Sequence, residues 1–126
     1  MNFEKVVFGF FITLALTLNF GFWTGQIDDP THHNGAELVA ALVVSLIATV
    51  LKFGDRTQSG AVHLATSLVA DLQLIVACAV WVWAAQTPTG LTGDHIAVVV
   101  SFAGGALVAN VISVVLMISE IVQFRR

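Results

Sequence analysis

Apolar residues fall in four blocks along the chain, Val6 to Thr24, Ala36 to Phe53, Gly60 to Ala85 and His95 to Gln123, separated by short polar runs. A helix rises about 1.5 Å per residue, so crossing a hydrocarbon layer about 30 Å thick takes about 20 residues. The first, third and fourth blocks meet that length. The second is marginal, since only Leu38 to Leu51 is free of charge; Lys52 extends it by carrying its ammonium to the interface on an apolar stem. Backbone left unpaired in lipid is costly, so helix is the only assignment open to these blocks.

The polar runs read as helix punctuation. Asn34 followed by Glu37 has the spacing of a capping box at the start of the second helix. Asp94 is the expected N-cap of the fourth, after the turn-forming run Thr87-Pro88-Thr89-Gly90. Gly54 to Ser59 forms a tight polar turn between the second and third. The chain is therefore expected to be all-α: one membrane domain over residues 1–126, built as a four-helix bundle. Lys5 followed by an apolar run resembles the start of a signal peptide, but no small-x-small cleavage site follows, so the segment is read as a retained first helix.

Composition agrees with this reading. Of the 126 residues 57% are hydrophobic and 10% charged, against about 25% charged in a soluble domain. There is too little charge to coat a water-facing surface, and the lipid bilayer is the expected surroundings. With a net charge of −3 and all five basic residues beside helix ends, a nucleic-acid partner is not expected. Those basic residues set the orientation, because lysine and arginine stay on the cytoplasmic side. An N-in, C-in topology places Lys5, Lys52, Arg56, Arg125 and Arg126 there together, and leaves both outer loops free of them. Trp23, Trp81 and Trp83 then gather toward the outer interface as an aromatic belt.

Small residues recur at every fourth position. The first helix carries Gly9, Thr13, Thr17, Gly21 and Gly25; the fourth carries Ser101, Gly105 and Ala109; the second carries Ala41, Ser45 and Thr49. Such stripes let helix backbones approach closely in lipid. They fit a compact bundle within one chain, and equally an interface with a second copy or another membrane protein.

Asp71 is the most informative single residue. It lies about 16 Å along the third helix from Gly60, at a depth where a charged side chain costs about 2.5 to 3.5 kcal/mol on insertion scales. His63, Thr66, Ser67, Asp71 and Gln73 share one half of that helix, giving it a polar face. Asn110, Ser113 and Glu120 share another on the fourth. The expected partners of Asp71 are Asn110, or Asn19 or Thr17 of the first helix. Glu120 is expected near the cytoplasmic side, within reach of Lys52, Arg56 or Arg125. Asp71 then either locks helices together or binds a cation or relays a proton, with Ser67, Gln73 and Asn110 as polar lining. His63, one turn inside the boundary, is read as an interfacial or hydrogen-bonded residue ahead of a proton shuttle.

The outer loop Asp28-Asp29-Pro30-Thr31-His32-His33 offers His32 and His33 to a metal, but adjacent loop histidines lack the His-x-x-x-His spacing of a helical site. A solvated turn is the expected role. Cys78, the single cysteine, reads as a small hydrophobe. No nucleophile elbow, phosphate loop or catalytic carboxylate pair appears, so neither enzyme activity nor a cofactor is expected.

Two stretches, Leu51-Lys52-Phe53-Gly54-Asp55-Arg56 and Ala65 to Ile75, resemble a family of small, uncharacterised bacterial inner-membrane proteins. The resemblance implies a bacterial inner membrane as the setting and supplies no site residues. The leading expectation is a non-enzymatic accessory protein or subunit of a membrane assembly. Its rivals are a small oligomeric ion or proton pathway centred on Asp71 and a metal-responsive protein using the His32-His33 loop.

Overall fold

The computed structural model describes residues 3–55 and 57–124, and is all-α over them. Four helices follow one another: α1 (Phe3–Trp23), α2 (Gly35–Lys52), α3 (Gln58–Ala85) and α4 (Gly93–Phe124), with one turn of 3₁₀ helix at Pro30–His32 in the first loop. Their bounds lie within three residues of the four apolar blocks. All four are long and apolar enough to cross a membrane. Arg56, Arg125 and Arg126 lie outside the described residues.

Side chains on the flanking turns fix where the helices begin. Asn34 caps α2 by accepting from the Ala36 amide, but Glu37 does not return the bond as a capping box requires. Its carboxylate lies instead against Gly21 of α1, where a Cβ would collide with it. Thr57 caps α3 by accepting from the Gly60 amide at 2.9 Å. At α4 the expected cap, Asp94, falls inside the first turn; Thr92 takes the role, its hydroxyl accepting from the His95 amide at 3.3 Å. Serine, threonine, asparagine and aspartate all serve this purpose, so the residue type was legible and the position was not.

Each helix packs against its neighbours in the chain, and α1 closes the ring against α4. The interior splits into two apolar clusters. The larger holds Phe22, Leu38, Leu74, Ile96 and Val100 among alanines at 41, 70, 77, 103, 106 and 109, toward the end that carries the first and third loops. The smaller holds Phe8, Ile12 and Ala48 toward the end that carries Lys52. Outward faces are apolar as well: Val50, Leu72, Val108 and Val115 are all more than half exposed. In water such a surface would be an association liability; against acyl chains it is the solvated one.

The small-residue stripes are used unevenly. On α2, Ala41, Ser45 and Thr49 are buried as expected. On α1 the buried face is Phe8, Ile12, Ala15, Asn19 and Phe22, while Thr13 and Thr17 are exposed, Thr17 bonding its own Leu14 carbonyl. Gly9 and Gly21 flank the buried face, against Met117 and Glu37. Gly25 lies beyond the helix end at φ +100°, so it shapes a turn and no helix contact. On α4, Ser101 faces outward, Gly105 lies under Gln73 and Ala109 is buried. The tryptophans also divide. Trp23 and Trp83 are exposed, whereas Trp81 packs inward on Phe22 and lies against Gly35.

Gly93 shows how closely the loops seat on the helices, since a Cβ there would lie 2.7 Å from the Asp28 carbonyl oxygen. Backbone cannot step aside as a side-chain tip can. Gly93→Ala is expected to destabilise the bundle by about 1–3 kcal/mol, as overpacking does, read as a lowered thermal midpoint in detergent. An unchanged midpoint would show that the two loops are not held together.

Candidate functional site

Between the two apolar clusters lies a belt of buried polar side chains drawn from all four helices: Asn19, Ser45, Thr49, His63, Ser67, Asp71, Asn110 and Ser113. Asp71 is its centre, 5% exposed. Ser45 and Thr49, four residues apart on α2, present their hydroxyls on one face toward α3. Ser45 Oγ donates to Asp71 Oδ1 at 2.6 Å and Thr49 Oγ1 to Oδ2 at 2.5 Å. The expected bonds from Asp71 to Asn110, Asn19 or Thr17 are not formed. Asp71 ties α3 to α2, because its position on the polar face of α3 turns it toward that neighbour, while Thr17 looks outward from the bundle.

The Thr49 hydroxyl has one hydrogen and two acceptors in range, since the Ser45 carbonyl oxygen lies 3.0 Å away. With Asp71 ionised, the hydrogen goes to the carboxylate. With Asp71 protonated, the acid donates to Thr49 and Thr49 donates to the Ser45 carbonyl. The network is satisfied in both states.

Gln73, expected beside Asp71, lies at the opposite edge of the polar face, its amide against Gly105 of α4. Thr66 donates to the His63 carbonyl, and Ser113 Oγ meets Thr66 Oγ1 at 2.5 Å across the α3–α4 contact. These two contacts bracket Asn110 at a depth between Ser67 and Asp71. Asn19 falls within about one helical turn of that depth, set by the approaches of Trp23 to Gly104 and of Met117 to Gly9. Ser67 Oγ and both amide atoms of Asn19 and of Asn110 are buried without a hydrogen-bond partner among the described residues.

The charge cluster at the Lys52 end also differs from expectation. Glu120 pairs with His63, its Oε1 3.0 Å from Nε2, and not with Lys52, because His63 faces α4 across the same contact that joins Thr66 to Ser113. The His63 ring is 1% exposed and meets Phe8 edge-on at 5.1 Å. Lys52 instead pairs with Asp55 at 3.5 Å and lies over the Phe8 ring. The Thr57 hydroxyl and then the Thr57 amide hold the Asp55 carboxyl below the ordinary aspartate range, against an opposing effect of burial, with Lys52 adding a smaller lowering. Arg56 and Arg125, expected to join this cluster, lie outside the described residues.

The two loop histidines are engaged by their own loop. His32 Nδ1 accepts from the Gln26 amide at 2.9 Å, and its Nε2 lies 3.4 Å from Asp29. His33 is buried, Nδ1 facing the Phe22 carbonyl at 2.5 Å and Nε2 the Gln26 carbonyl at 2.8 Å. All four ring nitrogens therefore serve to fold the loop onto the end of α1. No group of three or more metal-ligating side chains is assembled among the described residues.

Asp71 is legible in the sequence as a charge inside an apolar helix, and its partners are not. Ser45 and Thr49 have the spacing of a small-residue stripe, but two hydroxyls four apart on a short apolar helix are also a pair of donors on one face. The His63–Glu120 pair was missed because helix register across a contact is not written in either helix alone.

Four antiparallel helices, each long and apolar enough to cross a membrane, form a bundle that is apolar outside and crossed by an internal polar belt. The chain belongs to the family of unknown function DUF6394, whose model matches residues 32–121. That match takes in α2, α3 and most of α4, and with them Asp71, both of its hydroxyl partners and the His63–Glu120 pair. No curated protein and no solved structure matches the chain.

Two outcomes follow from this geometry. Asp71→Ala leaves the Ser45 hydroxyl unpaired and Thr49 with only the Ser45 carbonyl to donate to, and is expected to cost about 1–3 kcal/mol. In a double-mutant cycle with Ser45→Ala the losses should fall short of additive by about 0.5 kcal/mol or more, and strict additivity would dissolve the clasp. At the α2–α3 turn, a carboxyl held below its ordinary value adds stability above that value and loses it as pH falls through the lowered one. Protection of the Thr57 amide against hydrogen exchange, relative to its intrinsic rate, should therefore fall below about pH 4, and Asp55→Asn should remove that pH dependence.

Proposed function

We propose that the chain is a non-enzymatic, multi-pass subunit or accessory component of a bacterial inner-membrane assembly, with both termini in the cytoplasm. The observation that carries this reading is the closure around Asp71. Both carboxyl oxygens are taken up by α2, and the larger apolar cluster fills the bundle on the loop side of it. A through-pathway needs an open or hydrated route on both sides of its central charge; a clasp between two helices needs neither. Thr13, Thr17 and Ser101, small and outward-facing on α1 and α4, offer the close approach that a second copy or another membrane protein would use. The positive-inside rule supports the orientation, since Lys5 and Lys52 flank the same end of the bundle.

A second reading, an ion or proton pathway through Asp71, draws on one specific observation: the buried, unpartnered polar atoms of Asn19, Ser67 and Asn110 around the carboxyl. The metal-responsive reading loses its support, because the loop itself occupies both imidazoles.

Liposome flux together with crosslinking separates the two. Asp71→Asn is expected to leave transmembrane proton and cation leak at the wild-type level, while single cysteines at Thr13 or Ser101 trap a defined neighbour in the native membrane. A wild-type leak above that of empty liposomes, lost in Asp71→Asn with assembly intact, would transfer the assignment to the pathway.

A further inference from the structure

His63, Ser67 and Asp71 stand at four-residue intervals on α3, so successive members lie about 6 Å apart along the axis on nearly one face. One water making two hydrogen bonds of about 2.8 Å spans such a step. All three side chains are at least nine-tenths buried. Both atoms that would receive the bridging waters, His63 Nδ1 and Ser67 Oγ, have no protein partner among the described residues, and the amide of Asn110 is equally unpartnered at the same depth. Below His63, Glu120 holds its other ring nitrogen and is itself part-exposed, its side chain 24% accessible. Above Asp71 the large apolar cluster takes over. Polar groups thus run continuously from the Lys52 end to the middle of the bundle and stop there.

We propose that Glu120, His63, Ser67 and Asp71 form a water-bridged relay that lets Asp71 exchange protons with the Lys52 end of the bundle only. The relay takes water and protons as its ligands and needs no transmembrane path, so it is compatible with a sealed accessory bundle. In the inward direction a protonated Glu120 gives its proton to His63 Nε2, and the hydrogen on Nδ1 passes to the first water. That water protonates the Ser67 hydroxyl, whose own hydrogen moves through the second water to the Asp71 carboxylate. Each intermediate member gains one proton and loses one; only Glu120 ends with one fewer and Asp71 with one more. Asp71 can accept it because Ser45 and Thr49 satisfy the acid as well as the carboxylate. The charged groups facing the imidazole are Glu120 from α4 and, within electrostatic reach, Lys52 and Asp55 from the α2 end. Phe8 of α1 covers the ring edge between His63 and Lys52.

Rapid acidification followed by infrared spectroscopy tests the relay, using the full chain in lipid nanodiscs and the carboxyl C=O band that Asp71→Asn removes. In wild type the band should respond to the pH step. Ser67→Ala should slow that response roughly tenfold, the size expected for one lost hydrogen-bonded link, and Ser67→Thr should restore it. Glu120→Gln should slow it too, whereas Glu37→Gln at the opposite end should leave it unchanged. A wild-type rate in Ser67→Ala, or a rate that depends on Glu37, overturns the relay. The unmodified protein gives a further check: the Asp71 band should shift in D₂O without unfolding, and a band that stays in place overturns the proposal without any variant having to fold.

Discussion

A polar atom in the interior of a bundle whose outer faces are apolar must be satisfied by another part of the bundle or by water held within it. That constraint decides where Asp71 points. Its carboxyl is too deep to reach either interface, and the hydroxyls of Ser45 and Thr49 meet both oxygens from a single neighbouring helix. The clasp fixes the register of α2 against α3, and the Thr66–Ser113 and His63–Glu120 contacts do the same for α3 against α4. Van der Waals packing of alanines and valines would tolerate a slip along the axis. Hydrogen bonds between particular residues would not.

The belt gives the two halves of the molecule different characters. Toward the loops, Ala70, Ala77, Ala103 and Ala106 bring backbones close, with Leu74 and Phe22 filling what is left. Toward the termini the interior holds Phe8, Ile12 and Met117 beside an imidazole and a carboxylate. The first half is packed with apolar side chains. The second contains the His63–Glu120 pair, and Lys52 and Asp55 stand beside it. Residues 32–121, the part shared with the family of unknown function, contain the whole of the Asp71 clasp, so a common role in the family has this arrangement available to it.

Much of the fold was legible because lipid allows the chain so few choices. Twenty apolar residues must be helix, and the helix bounds follow where polarity returns. Asp71 was legible for the same reason, as a charge where charge is expensive. Partner choice was not. Asn110 has similar depth and the right chemistry, yet α4 turns it elsewhere, and nothing within its own helix says so. The α1 stripe misled for a related reason: Thr13 and Thr17 have the spacing of a packing seam, but Phe8, Ile12, Ala15, Asn19 and Phe22 alternate at three and four residues and form the true inner face. Several faces of an apolar helix look alike in sequence, and neighbours select among them.

The helices differ greatly in length, 18 residues in α2 against 28 in α3 and 32 in α4. At about 1.5 Å per residue α2 reaches only about 27 Å, while its ends are pinned by Asn34 and by the Lys52–Asp55 pair. The clasp at Asp71 prevents α2 from sliding to compensate. A hydrocarbon layer thicker than α2 would have to dimple around that one helix, at a cost of fractions of a kcal/mol per Å.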